Sequence, residues 1–90
     1  MKKNEIIKDR LEEWVESKGF LNSRFTIIEL CKIIGINRTY LSNYINNTYG
    51  LNFNLWINHL RIEEAKQLMG QTPKRSLSEI AERIGFTDLA

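Results

Sequence analysis

The chain contains the stretch Thr26-Ile-Ile-Glu-Leu-Cys-Lys-Ile-Ile-Gly-Ile-Asn37, and fifty residues later a second copy, Ser76-Leu-Ser-Glu-Ile-Ala-Glu-Arg-Ile-Gly-Phe-Thr87. Each copy opens with a hydroxyl residue, has Glu three positions on, spaces its apolar residues as a helix does, and then reaches glycine. A hydroxyl residue and Glu at this spacing form a capping box, and glycine commonly follows a helix end. Each copy therefore predicts a helix, a tight turn and the start of a second helix.

Length and composition indicate one small globular domain. The 90 residues are 42% hydrophobic and 27% charged, and they include one cysteine, Cys31. A single cysteine excludes an internal disulfide and any site built from several cysteines. Neither an apolar run of membrane-spanning length nor a signal peptide is recognisable, so we expect a cytoplasmic protein without membrane contact.

The spacing of apolar residues predicts an all-α fold. An amphipathic helix covers residues 5–18, and Gly19 is expected to end it. After the first copy of the repeat, Asn37 is expected to cap a helix over residues 38–49. No segment shows sustained alternation with period two, so strands are not expected. The inward positions of helix 38–49 are predicted to be Leu41, Ile45 and either Tyr44 or Thr48.

A long helix is predicted between Gly50 and Gly70, with either Asn52 or Asn54 as its cap. A connection with the only proline leads from it to the second copy, where another helix begins after Ser76. The predicted core positions are Leu55, Trp56, Leu60, Ala65, Leu68 and Met69 in the long helix, and Leu77, Ile80, Ala81 and Ile84 in the last one.

Carboxylates are absent from the middle of the sequence. All eleven Asp and Glu residues lie at or before Glu29 or at or after Glu63, and the interval 30–62 holds seven of the nine asparagines. A surface that approaches phosphates gains by excluding carboxylates, and amides can bond to phosphates or base edges. The pattern favours a nucleic-acid-binding surface; the alternative is that asparagine richness reflects genome composition alone.

Two helices joined by a tight glycine turn form the helix-turn-helix, whose second helix can lie in the DNA major groove. Further residues have the order and spacing of one known family: Leu30-Cys31, Gly35-Ile36-Asn37, Leu41, Gly50-Leu-Asn-Phe53, Leu60-Arg61, Ala65 and Ile80-Ala81-Glu-Arg-Ile-Gly85-Phe86. Over residues 25–90 the chain resembles the AraC/XylS family of bacterial transcription regulators. Residues 1–24 lie outside this resemblance.

The resemblance implies a homeodomain-like DNA-binding domain with two helix-turn-helix units joined by a linker helix. The implied parts are 25–50 for the first unit, 51–70 for the linker and 71–90 for an incomplete second unit, with 1–24 as an amphipathic helix and its connection. The chain would then bind double-stranded DNA sequence-specifically, as the output module of a bacterial transcription regulator.

Family alignment implies base contacts by Thr39, Ser42 and Asn43. Helix geometry agrees, because these three side chains project outward if Leu41 and Ile45 point inward. Arginine is common in the family at the position of Asn43, so weaker binding or a preference for A·T pairs is expected. Phosphate contacts are assigned to Lys32, Arg38 and Asn46.

After Gly85-Phe86 of the second copy the sequence has only Thr87-Asp-Leu-Ala90, where the family continues with a second recognition helix. We therefore expect a domain truncated within its second helix-turn-helix, either as a trimmed piece or naturally. An alternative function follows from this expectation. The helix at 1–18 and an uncovered apolar face of 76–90 would bind a protein partner or a second copy, through Leu77, Ile80, Ile84 and Phe86.

Other candidate sites are weak. Cys31 occupies a small buried position of the repeat and is interpreted as a packed thiol. His59 lacks a second histidine or cysteine, so a metal site with Glu63 is a weak proposal. Arg61 is expected to hold carbonyls or a carboxylate such as Glu64, in preference to DNA. Without paired carboxylates, a phosphate loop or a Ser-His-Asp set, no enzyme, cofactor or metal is predicted.

Overall fold

The computed structural model describes residues 3–70 and 75–85. Within them it contains a 3-10 turn at Gly19–Leu21 and the helices α1 (Lys3–Glu16), α2 (Ile27–Ile34), α3 (Arg38–Tyr49), α4 (Phe53–Met69) and α5 (Leu77–Ile84). The described residues contain no strand, so the all-α prediction is confirmed. The connection with Pro73 and the segment from Phe86 to Ala90, where the incomplete second recognition helix was expected, lie outside the described residues.

Side-chain caps start α2, α3, α4 and α5. Each cap accepts a hydrogen bond from the backbone N–H three residues on, which satisfies a group that the first helical turn leaves unpaired. Asn52, and not Asn54, caps α4, with its Oδ1 2.9 Å from the Leu55 nitrogen. The other caps are Thr26, Asn37 and Ser76.

The end of α1 differs from the prediction. The helix ends at Glu16, and the left-handed residue is Lys18, at φ 61°, instead of Gly19. Gly19 begins the 3-10 turn, and a Cβ on it would lie 2.2 Å from Nε1 of Trp14. Gly19 is therefore required for close packing against the indole, whereas the left-handed conformation that ends the helix is adopted by Lys18.

The main core joins α1 to the helices of the first repeat copy. Its buried residues come from α1, the 3-10 turn, α2, α3 and α4: Ile7, Leu11, Trp14, Phe20, Leu30, Ile34, Leu41, Ile45, Trp56 and Ile57. Tyr44 packs against this cluster while Thr48 is exposed, which resolves the alternative for α3. Residues 1–24 thus supply part of the core on which α2 and α3 rest.

A second, smaller cluster holds α5 against α4. It consists of Ala65, Leu68, Ile80 and Ile84, with Leu21 packed against it. Ile80 and Ile84 were expected on an uncovered face, but they are 3% and 5% exposed. The part of this face formed by Ile80 and Ile84 is therefore covered within the chain by α4, whereas Phe86 lies outside the described residues.

Three predicted core positions are wrong. Leu55 and Met69 are 53% and 48% exposed, and Leu77 is 70% exposed. In α4 the buried side is instead broadened by Ile57, Arg61 and Glu64. The reason is that α4 packs against α3 along one side and against α5 and the 3-10 turn along another. The buried positions of α4 therefore span a wider angle around the helix axis than a single apolar stripe does.

Arg61 lies in this interior and has a structural role. Its Nε donates to the carbonyl oxygen of Phe20 at 2.8 Å, and its Nη2 donates to that of Asn22 at 3.0 Å. Nearby, the Lys18 ammonium pairs with the Glu64 carboxylate at 2.9 Å. The expectation that Arg61 holds carbonyls is confirmed, and its burial lowers its pKa.

Candidate nucleic-acid interface

The turn between α2 and α3 sets the direction of α3. Gly35 adopts φ 87°, a left-handed conformation that favours glycine, and its N–H donates to the Cys31 carbonyl at 2.7 Å. Two residues later Asn37 caps α3, accepting from the Tyr40 nitrogen at 2.8 Å. Leu41 and Ile45 are fully buried, which fixes the face that α3 turns to the core.

The opposite face of α3 is an exposed polar row. Thr39, Asn43, Asn46 and Asn47 are all exposed there, and none of them carries a charge. In a helix, residues three and four apart share a face, so these four side chains lie side by side. We call them the outward row. Asn47 belongs to it although the sequence-based assignment did not include it.

Ser42 lies beside the outward row, on the flank of α3 that faces α4. It is half-buried and lines a hollow with Arg38, Ile27 and the first residues of α4. Of the three predicted base contacts, Thr39 and Asn43 therefore point away from the core, whereas Ser42 lies at the edge. We call the side of α3 that faces α4 the α4 flank.

The other flank of α3 faces α1. Asn4 lines a hollow there with Tyr40, Asn43 and Asn47. Tyr40 Oη donates to Asn4 Oδ1 at 2.7 Å, and Lys3 Nζ lies 4.3 Å from the centre of the Tyr40 ring. We call the side of α3 that faces α1 the α1 flank. Sequence reasoning missed it because no spacing rule relates residues 3–4 to residue 40; only the shared core brings α1 beside α3.

The two predicted cationic phosphate contacts are brought together. Lys32 on α2 and Arg38 on α3 line one hollow at the turn, with Gly35 between them in sequence. Asn46 is separate from them, in the outward row. Since residues 30–62 contain no carboxylate, α3 and the turn before it contribute positive and neutral groups only. This electrostatic arrangement suits an anionic ligand.

Two groups near α2 and α3 have shifted pKa values. Burial raises the pKa of the Cys31 thiol and outweighs the Arg38 charge, which lowers it, so the thiol is poorly activated. At the C-terminal end of α3, burial raises the pKa of Tyr49, and the neighbouring Tyr44 and Glu12 raise it further. The Tyr49 ring stacks on that of Trp56, with the ring centres 5.2 Å apart.

Residues 3–70 and 75–85 form neither a metal-binding cluster nor a membrane-spanning helix. No three His, Cys, Asp or Glu side chains come together there as a metal site would require. No helix among these residues has both the length and the apolar character needed to cross a membrane.

Residues 30–90 match a family model described as a helix-turn-helix domain. This match begins at Leu30 within α2, covers the glycine turn and α3, and continues through α4 and α5. The chain belongs to the AraC-type helix-turn-helix family. Membership in this family makes it a DNA-binding module of transcription regulators. No curated protein sequence matches the chain significantly.

Solved structures extend the likeness of this AraC-type module beyond the family match. One is the C-terminal domain of the two-component response regulator yesN from Fusobacterium nucleatum, with TM-score 0.75, 30% identity, and 90% of this chain and 77% of that chain covered. Another is the C-terminal domain of AraT, a response regulator from Geobacillus stearothermophilus, with TM-score 0.75 and 24% identity. That comparison covers 91% of this chain and 65% of the other, and shows the fold.

Proposed function

We propose that this module binds double-stranded DNA sequence-specifically, with α3 in the major groove. The observation that carries the proposal is the outward row: uncharged hydrogen-bonding side chains on a helix held rigidly by Leu41 and Ile45. A major groove about 12 Å wide admits such a helix. Under this proposal Thr39 and Asn43 contact base edges directly, and Ser42 contacts a base at the α4 flank.

Phosphate contacts are proposed for Lys32, Arg38 and Asn46. Lys32 and Arg38 line one hollow beside the turn, where their charges can pair with a single DNA strand. Asn46 lies in the outward row, at the edge next to Ser42, and its amide can donate to a phosphate oxygen. These contacts fix the register of α3 without selecting a sequence.

The operator is proposed to contain A·T pairs opposite Asn43. An asparagine amide can bond bidentately to the N6 and N7 atoms of adenine, and a threonine methyl such as that of Thr39 can contact the methyl group of thymine. The outward row holds no arginine or lysine, the residues that most often contact guanine. The composition of the row therefore favours A·T over G·C.

The module is proposed to be the output part of a bacterial transcription regulator acting on DNA in the cytoplasm. The two solved relatives are C-terminal domains of response regulators, and the chain spans 77% and 65% of those domains. By analogy, an input domain on the same or another chain would govern when α3 meets its operator. We infer a binding function and not catalysis, in keeping with the family.

Self-association through the second repeat copy, the alternative function, is not favoured. Ile80 and Ile84 would have to be free for it, yet both pack against Ala65 and Leu68 of α4. The apolar stripe of α1 is likewise used in the core, where Ile7 and Leu11 are fully buried. Among the described residues of α5 that were assigned to this contact, Leu77 alone is exposed.

The proposal is tested by selecting duplexes from a randomised library with the 90-residue chain. Sequence-specific reading predicts that repeated rounds converge on one motif with an A·T pair at a fixed position. The recovered motif should bind more tightly than a shuffled duplex of the same composition. Recovery of a random population, with equal affinity for the shuffled duplex, would overturn the proposal.

A further inference from the structure

We propose that Lys3 contacts a DNA phosphate on the α1 flank of α3, on the side away from Arg38. The inference rests on the proposed function, because it adds a contact to the same DNA bound by the same helix. Lys3 belongs to residues 1–24, which the family resemblance does not cover. The inference gives these residues a role in binding besides their role in the core.

The first turn of α1 is attached to α3 by two contacts with one side chain. The Tyr40 hydroxyl donates to Asn4 at 2.7 Å, and the Lys3 ammonium lies over the Tyr40 ring at 4.3 Å from its centre. A cation at this distance is attracted by the negative face of the ring. Lys3 itself is exposed, so its ammonium keeps donors free to turn toward an anion.

The position of Tyr40 on α3 aims these contacts at DNA. Asn4 and Tyr40 line the same hollow as Asn43 and Asn47 of the outward row. A helix in the major groove lies between two sugar-phosphate strands, one along each flank. Arg38 lies on the α4 flank and Lys3 on the α1 flank. The two cations would bracket the reading helix and fix its depth and tilt.

Tyr40 is a positioning residue in this arrangement. Its ring supports Lys3 and its hydroxyl holds Asn4, while the phosphate contact is made by Lys3. Any contribution of the Tyr40 hydroxyl to DNA affinity should therefore depend on the presence of Lys3. That dependence separates positioning from a contact that Tyr40 makes by itself.

The test measures binding of the full chain to a fluorescein-labelled duplex of about 30 random base pairs across a NaCl series. One phosphate contact contributes about 0.9 to the slope of log affinity against log salt on B-DNA. Lys3→Gln should therefore reduce the slope by about 0.9, and weaken binding roughly eightfold at about 0.1 M NaCl. The matched control is Lys66→Gln, whose amino group pairs with Glu63 at 3.2 Å on the exposed side of α4. It should leave the slope unchanged.

The role of Tyr40 is tested by a double-mutant cycle with Tyr40→Phe, which keeps the ring and removes the hydroxyl. We expect weaker binding in the wild-type background and no further loss in the Lys3→Gln background. Equal losses in both backgrounds would overturn the positioning role. Circular dichroism melts, expected to be unchanged for Lys3→Gln, show that its binding loss is not unfolding.

The outcomes separate this inference from the proposed function. If wild-type protein binds with a steep salt dependence and Lys3→Gln has the same slope, the Lys3 contact is wrong and the proposed function stands. Equal slope changes in Lys3→Gln and Lys66→Gln would also overturn it, since net charge would then explain the effect. A wild-type chain that binds no DNA would overturn both.

Discussion

Arg61 donates from its Nε to the carbonyl oxygen of Phe20 at a distance of 2.8 Å, 41 residues away in sequence. Its Nη2 also donates to Asn22. These bonds tie α4 to the chain segment that joins α1 to α2. Because Phe20 packs in the main core and Leu21 against the smaller cluster, Arg61 acts where both clusters meet.

Arg61→Met should destabilise the fold by about 2–4 kcal/mol, because it removes charge-assisted bonds and takes the buried donor away from the Phe20 carbonyl oxygen. Urea unfolding followed by circular dichroism measures the loss. Arg83→Met is the control, since Arg83 is exposed on α5, and it should change the stability by less than about 0.5 kcal/mol. A similar small effect for both variants would contradict the structural role of Arg61.

Gly85→Ala should be far more costly than Gly50→Ala, although both glycines have positive φ. A Cβ on Gly85 would lie 2.6 Å from the Leu21 carbonyl oxygen, whereas one on Gly50 would meet nothing within 4 Å. We expect losses of about 3 kcal/mol or more at Gly85 and about 1–2 kcal/mol at Gly50. Thermal unfolding compares the two, and equal losses would argue against close packing of the second repeat turn on Leu21.

Asn37→Ala should destabilise the protein by about 1 kcal/mol, because it removes the cap that starts α3. Asn54→Ala is the matched control: Asn54 is exposed and α4 uses Asn52 as its cap. Denaturant midpoints measured in parallel provide the comparison. A loss at Asn54 as large as at Asn37 would be inconsistent with the capping assignment.

Cys31 should react slowly with iodoacetamide at about pH 8, because burial raises the pKa of its thiol and leaves less thiolate. We expect native protein to react more slowly than protein unfolded in about 6 M urea. Mass spectrometry of timed samples measures both rates. Equal rates, or faster reaction of the folded chain, would mean that the thiol is activated.

Local signals in the sequence predicted where helices begin but not which sides of them are buried. Thr26, Asn37 and Ser76 act as caps because capping depends on residues three positions apart. Leu55 was wrongly assigned to the core and Ile57 was missed, because α4 has neighbours on two sides and its buried residues depend on where those neighbours lie.

The α1 flank could not be found from sequence for a related reason. Lys3, Asn4 and Tyr40 meet because α1 and α3 share a core, and nothing local marks the pairing. The structural role of Arg61 was easier to predict from sequence, because a lone arginine among the apolar positions of a helix needs hydrogen-bond acceptors. Its actual acceptors, in the segment after α1, became evident only from the packing of α4.

If the outward row of α3 reads bases, changing Asn43 should alter the preference between DNA sequences. The most direct measurement is the ratio of affinities for the selected duplex and a shuffled duplex, compared among wild type, Asn43→Ala and Lys32→Ala. Asn43→Ala should reduce the ratio by about 5- to 150-fold, the range for one bidentate base contact. Lys32→Ala should weaken binding to both duplexes equally. A ratio left unchanged by Asn43→Ala, with both affinities reduced alike, would contradict the claim.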